Sequence, residues 1–268
     1  MTKFICPICK EPLNGDKSLK CSKNHCFDRA KSGYINLLSG KGGNHGDPKE
    51  MVLARKSFLD RGYYEPLRED VAKTAKEVTP GTGTLLDCGC GECYYTQRIA
   101  ELLPNADIMG IDVSKDAVNY GCKRSKNLDL AVASVYAIPV ADSSVDTAVS
   151  IFAPAAIEEF LRVLKPEGYL IMAIGAENHL WSLKKAVYET PYKNETAADY
   201  SIDGFVFIGK KELKYTVDLA STEDIKNLFS MTPYYHKTSQ TDIAKLDTLE
   251  KLTTEIEFEI LIYKKVSA

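Results

Sequence analysis

No stretch of this 268-residue sequence approaches the ~20 apolar residues needed to span a bilayer. The opening residues, MTKFICPICK, hold no apolar core of a secretory signal, so none is expected and the cytoplasm is the expected compartment. Large net charge is missing too. The formal value is −3, which argues against a nucleic-acid binder coated with positive charge and leaves room only for a local basic patch. Internal repeats are absent. Apolar residues are not scarce, at 44% of the chain, and that excludes global disorder. At ~150 residues per domain, the length allows one large domain, or a medium domain with a small module.

Charge and composition divide the chain. Residues 1–49 carry nine Lys or Arg and four Asp or Glu, a balance of +5, which leaves −8 for the remainder. This stretch is rich in Cys, Gly, Asn and Lys and lacks long periodic apolar segments. It reads as a small module (1–38) that buries too little surface to fold unaided. A glycine-rich link follows (39–50), including Ser39-Gly40-Lys41-Gly42-Gly43-Asn44-His45-Gly46-Asp47-Pro48, and then the main domain (51–268).

Within the module, Cys6-Pro7-Ile8-Cys9 precedes Cys21-Ser22-Lys23-Asn24-His25-Cys26. Eight cysteines in a chain without an export signal favour metal binding over disulfides. Two short-spaced pairs about a dozen residues apart supply the four soft donors that tetrahedral zinc requires. His25 and Cys26 are adjacent, so only one is expected to face the metal; His25 is preferred. No acid or open position accompanies the set, so the zinc is expected to be structural.

The main domain alternates short apolar runs with helical periods of about ten residues. Helices are expected at 51–59, 67–78, 94–103, 115–123 and 157–164, and strands at 84–87, 106–112, 128–134, 145–152 and 169–174. That order predicts βαβ units and a mostly parallel sheet. Farther on, 205–208 and 212–218 bracket a Gly-Lys pair and suggest a hairpin. Ser221-Thr222-Glu223-Asp224 resembles a helix start. Residues 255–263 alternate as a half-buried closing strand would.

The run Leu85-Leu86-Asp87-Cys88-Gly89-Cys90-Gly91-Glu92-Cys93-Tyr94 leads from a strand into a helix. Gly89 and Gly91 let the backbone approach a ligand, and the leading carboxylate of Asp87 suits an amino group better than a pyrophosphate. Asp112 ends the next strand, where an acid bonds ribose hydroxyls. With Ile138-Pro139-Val140-Ala141-Asp142-Ser143-Ser144-Val145-Asp146 and Leu164-Lys165-Pro166-Glu167-Gly168 in order, the chain resembles class I S-adenosylmethionine-dependent methyltransferases. These have a Rossmann-like α/β fold with a mostly parallel seven-stranded sheet. Cys93 stands where the common glycine pattern has a third glycine. Cys88, Cys90 and Cys93 read as small packed residues rather than a second metal site.

More specifically, the sequence resembles the rRNA large subunit methyltransferase A family. The similarity runs through 6–38, 54–67 and 88–96, with Ala153-Pro154, His179-Leu180 and Met231-Thr232-Pro233. The resemblance implies methyl transfer to N1 of a guanine in hairpin 35 of 23S rRNA, and a homodimer. It implies Cys6, Cys9, Cys21 and His25 as zinc ligands, and Tyr64, Gly91, Glu92 and His179 as cofactor contacts beside Asp87, Gly89 and Asp112. Ala155 stands where the family usually has a cysteine, so no catalytic thiol is expected there.

Guanine N1 carries a proton that a base must accept. Asp60 and Glu92 are candidates, as is the backbone at Ala153-Pro154 for the guanine edge. Lys10, Lys17, Lys20, Lys23, Arg29 and Lys31 are the expected phosphate contacts. Two other readings are a small-molecule methyltransferase of the quinone-biosynthesis kind and an inactive RNA-binding factor.

Overall fold

The computed structural model describes residues 2–38, 46–196 and 199–267; most of the expected link lies outside them. The first module holds β1 (Ser18–Lys20), β2 (Cys26–Asp28) and β3 (Ile35–Asn36). The order is then α1 (Lys49–Asp60), α2 (Glu65–Val78), β4 (Thr84–Cys88), α3 (Tyr94–Leu102), β5 (Asp107–Asp112), α4 (Lys115–Arg124), β6 (Asp129–Val132) and β7 (Val145–Ile151). It ends with α5 (Ile157–Val163), β8 (Leu164–Gly175), α6 (Trp181–Val187), β9 (Phe205–Leu219), α7 (Thr222–Ser230), α8 (Gln240–Ala244) and β10 (Leu252–Lys265).

The main sheet runs β3-β6-β5-β4-β7-β8-β10-β9. The first six strands are parallel, and β10 and β9 close the far edge antiparallel. Seven of the strands form the expected Rossmann-like sheet. The eighth, β3, comes from the first module and pairs Ile35 with Ala131 and Asn36 with Val132.

Buried strands alternate between two apolar clusters, as a period of two requires. Leu85, Ile108, Val149 and Ile171 face the side covered by α2, α3, α6 and α7. Their neighbours Leu86, Met109, Ala148 and Leu170 face the other side, where α5 and the first module lie. Phe4, Leu13 and Leu19 of the module are buried in that second cluster with Ile138 and Val140. A mostly parallel sheet must be covered on both faces. Here the small module is part of the cover, which explains how so short a segment buries an apolar side.

The tail differs from the expected hairpin. Residues 205–219 form one strand, paired along its length with the 14-residue β10. The register shifts by one residue between Ile262–Gly209 and Tyr263–Phe207, leaving Ile208 as the extra residue. One long partner satisfies the backbone of both halves, so no turn forms at Gly209-Lys210. The other boundaries follow local chemistry. The Ser114 and Ser221 hydroxyls cap α4 and α7 by accepting from the Ala117 and Asp224 N–H groups. The Lys165-Pro166-Glu167-Gly168 turn bulges out of β8, whose pairing jumps from Val145–Leu164 to Thr147–Tyr169.

Candidate active site

A cavity of about 1000 Å³ opens at the carboxyl ends of β4, β5, β6 and β7. Ligands of open α/β sheets bind at this edge, where the strand order reverses. Asp87, Gly89, Gly91, Glu92, Asp112, Tyr64 and His179 all line it. Residues 153–154 and 231–233, which carried part of the resemblance, line it as well.

The glycine loop is built for close approach. The Gly89 and Cys90 N–H groups donate to the Ile111 carbonyl at 2.8 and 2.9 Å, tying the loop to β5. Gly89 has φ +88°, and a Cβ there would stand 2.5 Å from the Ala153 Cβ. Gly91 has φ +54°, and a Cβ there would meet nothing within 4 Å. The first glycine admits a neighbouring loop; the second leaves the cavity floor open to a ligand.

The two acids are held differently. Asp87 is buried and accepts a 2.6 Å hydrogen bond from the Thr96 hydroxyl, but its Oδ1 has no partner. Burial pushes its pKa up to about 7, with the Asp112 charge adding to the rise. A buried carboxyl oxygen without a donor is the site an ammonium group would satisfy. Asp112 accepts from the Gly91 N–H at 3.0 Å and the Ser114 N–H at 2.7 Å, which fix its orientation. Each of its oxygens retains a lone pair for a ribose hydroxyl. An orphaned carboxylate oxygen, an open glycine floor and an oriented second acid together fit S-adenosylmethionine.

The cavity wall is aromatic. Tyr64 sits edge-on between Phe58 (ring centroids 5.1 Å apart) and Phe258 (5.0 Å). His179 packs against Phe258 at a tilt, with ring centroids 4.5 Å apart. Burial pushes the His179 pKa down to about 3, and the Lys184 charge acts the same way. Its Nδ1 accepts the Glu257 N–H at 3.3 Å, so the neutral ring carries its proton on Nε2. His179 is therefore a neutral hydrogen-bonding wall, not a proton shuttle. Glu92 is buried, which raises its pKa against the pull of Arg124, whose Nη2 lies 3.2 Å away.

Asp60 does not line the cavity. Burial raises its carboxyl, but hydrogen bonds from Lys56 and Arg124 outweigh this and hold it below the usual carboxylate range. That makes it a poor proton acceptor. Arg29 likewise departs from its expected role as a phosphate contact. Its Nη1 donates to the Gly33 carbonyl at 2.6 Å and lies 3.7 Å from Asp129. It fastens the module to the sheet, whereas Lys10, Lys17, Lys20, Lys23 and Lys31 are exposed.

Sequence reasoning missed other lining residues. Asp47 and Arg55 form an ion pair at the cavity, and the Asp47 carbonyl accepts from the Ser114 hydroxyl at 3.1 Å. Asp47 belongs to the expected link and Arg55 to α1, so no local spacing announces the pair. Phe152 and Tyr136 are exposed aromatics on the lining, and they read as ordinary strand-end and loop residues.

In the first module, the ligand atoms of Cys6, Cys9, Cys21 and His25 all lie within 4.8 Å of one another. His25 Nδ1 is 3.5 Å from Cys6 Sγ and 3.4 Å from Cys21 Sγ, and the Cys9 and Cys21 sulfurs are 3.6 Å apart. These are edges of a tetrahedron around a metal with ~2.3 Å sulfur bonds. Each pair sits on a tight turn closed by a left-handed residue. Lys10 N–H returns to the Cys6 carbonyl at 2.9 Å, and Asn24 N–H to the Cys21 carbonyl at 3.0 Å. Cys26, the alternative fourth ligand, is exposed and outside the cluster. Four protein donors close the shell, as in structural zinc.

Known proteins match both parts. The family described as "RlmA, N-terminal" matches residues 4–41, and "Methyltransferase domain" matches residues 81–226. The 23S rRNA (guanine(748)-N(1))-methyltransferase of Streptomyces fradiae is 30% identical over 267 residues, 95% of each chain. YxjB of Bacillus subtilis, provisionally named a 23S rRNA (guanine-N(1)-)-methyltransferase, is 30% identical over 275 residues, covering 98% of this chain and 97% of its own. The crystal structure of Bacillus subtilis YcgJ superposes with a TM-score of 0.53 at 14% identity, over 75% of this chain and 98% of that one, and speaks to the fold alone. With headpiece and catalytic domain both accounted for, the chain belongs to the family of 23S rRNA (guanine-N1)-methyltransferases.

Proposed function

We propose that this chain methylates N1 of a guanine in hairpin 35 of 23S rRNA, with S-adenosylmethionine as donor. One observation carries the reading. The metal-stapled headpiece packs on the catalytic sheet, and its last described residue, Leu38, lines the same cavity as the glycine loop. A donor site and an RNA-facing module thus share one opening. In this reading residues 1–38 recognise RNA, 39–50 link, and 51–268 perform transfer.

S-adenosylmethionine brings a sulfonium methyl already activated for in-line attack, so the protein mainly aligns and excludes water. Asp87 would take the amino group, and Asp112 the ribose hydroxyls. Gly89 and Gly91 would let the donor lie against the backbone, with Tyr64 and His179 as the aromatic wall. Of the two carboxylates expected as proton acceptors, Glu92 alone lines the cavity, and its burial favours proton uptake. The guanine edge that carries N1 is hidden in a duplex, so a loop base or a flipped base is the substrate. A homodimer and a cytoplasmic location complete the proposal, and light scattering of the purified chain tests the first.

The test is transfer of labelled methyl to 23S rRNA that lacks the mark, read by primer extension across the hairpin. A stop at one guanine is expected. Label that enters small metabolites but not the rRNA would favour a quinone-type methyltransferase. Donor binding without any transfer would favour an inactive RNA-binding factor.

A further inference from the structure

The residue that follows β7, Phe152, combines three features that rarely coincide. It has φ +54°, a left-handed backbone that a bulky side chain adopts only under constraint. The residue is 48% exposed, although it stands at the carboxyl end of a buried strand. It is also one of the residues that line the cavity described above. Strain of this kind persists where the surroundings over-determine it, and it clusters at functional sites.

The surroundings are visible. The Phe152 N–H donates to the Ala173 carbonyl at 3.1 Å, which holds the backbone against β8. The next residue, Ala153, is wedged against Gly89 of the glycine loop. One side of the ring rests on Phe258, with centroids 5.2 Å apart, and Phe258 is itself fully buried against His179 and Tyr64. The ring is backed by a buried cluster of tilted and edge-on aromatic rings, while much of the residue stays bare. Left in water, that surface gains nothing for the fold, and the twisted backbone costs free energy. Both are explained if the bare surface is covered during the reaction. The cavity is at the upper end of the ~300–1000 Å³ range of small-molecule sites, which leaves room for a second group beside a donor molecule.

We propose that Phe152 is the platform on which the target nucleobase stacks. The ring offers a flat apolar surface beside the glycine loop, where the methyl donor would lie. A purine extruded from RNA loses its own stacking partners, and aromatic side chains replace them. The inference rests on the rRNA-methylating reading and adds to it the residue that receives the base.

Methyl transfer to unmarked 23S rRNA is measured for the full chain and for Phe152→Ala, Phe152→Gly, Phe152→Tyr and Phe152→Trp, with S-adenosylhomocysteine affinity and melting temperature in parallel. The alanine and glycine variants should lose about ten- to a hundred-fold in kcat/KM, the range expected for removal of one base–aromatic stack. Both should keep wild-type affinity for S-adenosylhomocysteine. The tyrosine and tryptophan variants should stay within a few-fold of wild type. Phe152→Gly should melt no lower than Phe152→Ala, because glycine accepts the left-handed backbone. Wild-type rates in Phe152→Ala would overturn the proposal. So would a loss of S-adenosylhomocysteine affinity that matches the loss of rate, since the ring would then be a wall of the donor site. If the wild-type chain methylates no ribosomal guanine, the functional reading itself fails and this inference with it.

Discussion

The sulfur of Cys93 lies 2.5 Å from where a Cβ on Gly121 would stand. Cys93 has φ +63° at the head of α3, in a position where the common glycine loop has no side chain. Its thiol is buried against α4, and Gly121 makes the space. Gly121→Ala should therefore cost about 1–3 kcal/mol by overpacking. Cys93→Gly should recover most of that loss in the Gly121→Ala background while changing wild-type stability little. A double-mutant cycle by denaturant unfolding measures the coupling; additive effects would show that the two sites do not share the space.

Asp87 should make donor binding depend on pH. An unfolded aspartate ionises near ~3.9, whereas burial keeps the folded carboxyl protonated up to about 7. Below the unfolded value both states hold the proton and nothing is lost. As pH rises from about 4 to about 7, the unfolded chain ionises first, and this group's contribution to stability falls. A bound ammonium reverses the preference by favouring the carboxylate. S-adenosylhomocysteine affinity should then increase from pH 6 to pH 7.5, with proton release visible by calorimetry in buffers of different ionisation heat. Asp87→Asn should weaken binding about tenfold or more and flatten the dependence. A pH-independent wild-type affinity would remove Asp87 from the donor site.

Asp112 offers a complementary check. Asp112→Ala removes the acceptor of the Gly91 and Ser114 N–H groups. Gly91 lines the cavity, and Ser114 still caps α4 through its own hydroxyl, so the chain should still fold while donor affinity drops. An unchanged affinity by calorimetry would count against a ribose role.

Much of this was readable from residue order because the informative contacts are local. The metal quartet lies in two knuckles, and the glycine loop joins a strand to the helix that follows it. What escaped depends on distant partners. The edge strand β3 is two residues long, too short for any period to register, and exists because Ile35 and Asn36 find β6. Lys184 sits in a Lys-Lys pair that reads as a solvated helix face. It is almost fully buried, donating to the Tyr192 carbonyl at 3.1 Å and Asn194 Oδ1 at 2.6 Å, with the Tyr234 ring 4.5 Å away. Its partners lie on two later loops, and no spacing rule connects them. Phe152 escaped for another reason: its backbone twist and its exposure are properties of the fold, not of the residue type.

Zinc should stabilise the whole chain, not the headpiece alone. Phe4, Leu13 and Leu19 share one cluster with Leu86, Ile138 and Val140, so loosening the headpiece uncovers a face of the sheet. Cys6→Ser should lower the zinc content and move a single melting transition down by roughly 5–10 °C. Two separate transitions, with the upper one at the wild-type temperature, would mean that the sheet does not depend on its metal-bound cover.

Lys20 and Lys23 are exposed on the headpiece, and neither supports the fold as Arg29 does. Reversing both charges should weaken binding to the 23S rRNA hairpin most at low salt. Each phosphate contact contributes about 0.7 to the slope of log affinity against log salt for single strands and about 0.9 for duplex. Loss of two contacts should reduce that slope by about 1.4–1.8. Lys23 lies between two of the zinc ligands, so the zinc content of the variant must equal that of the wild type for the comparison to hold. An affinity loss of the same size at every salt concentration would indicate damage to the headpiece rather than lost phosphate contacts.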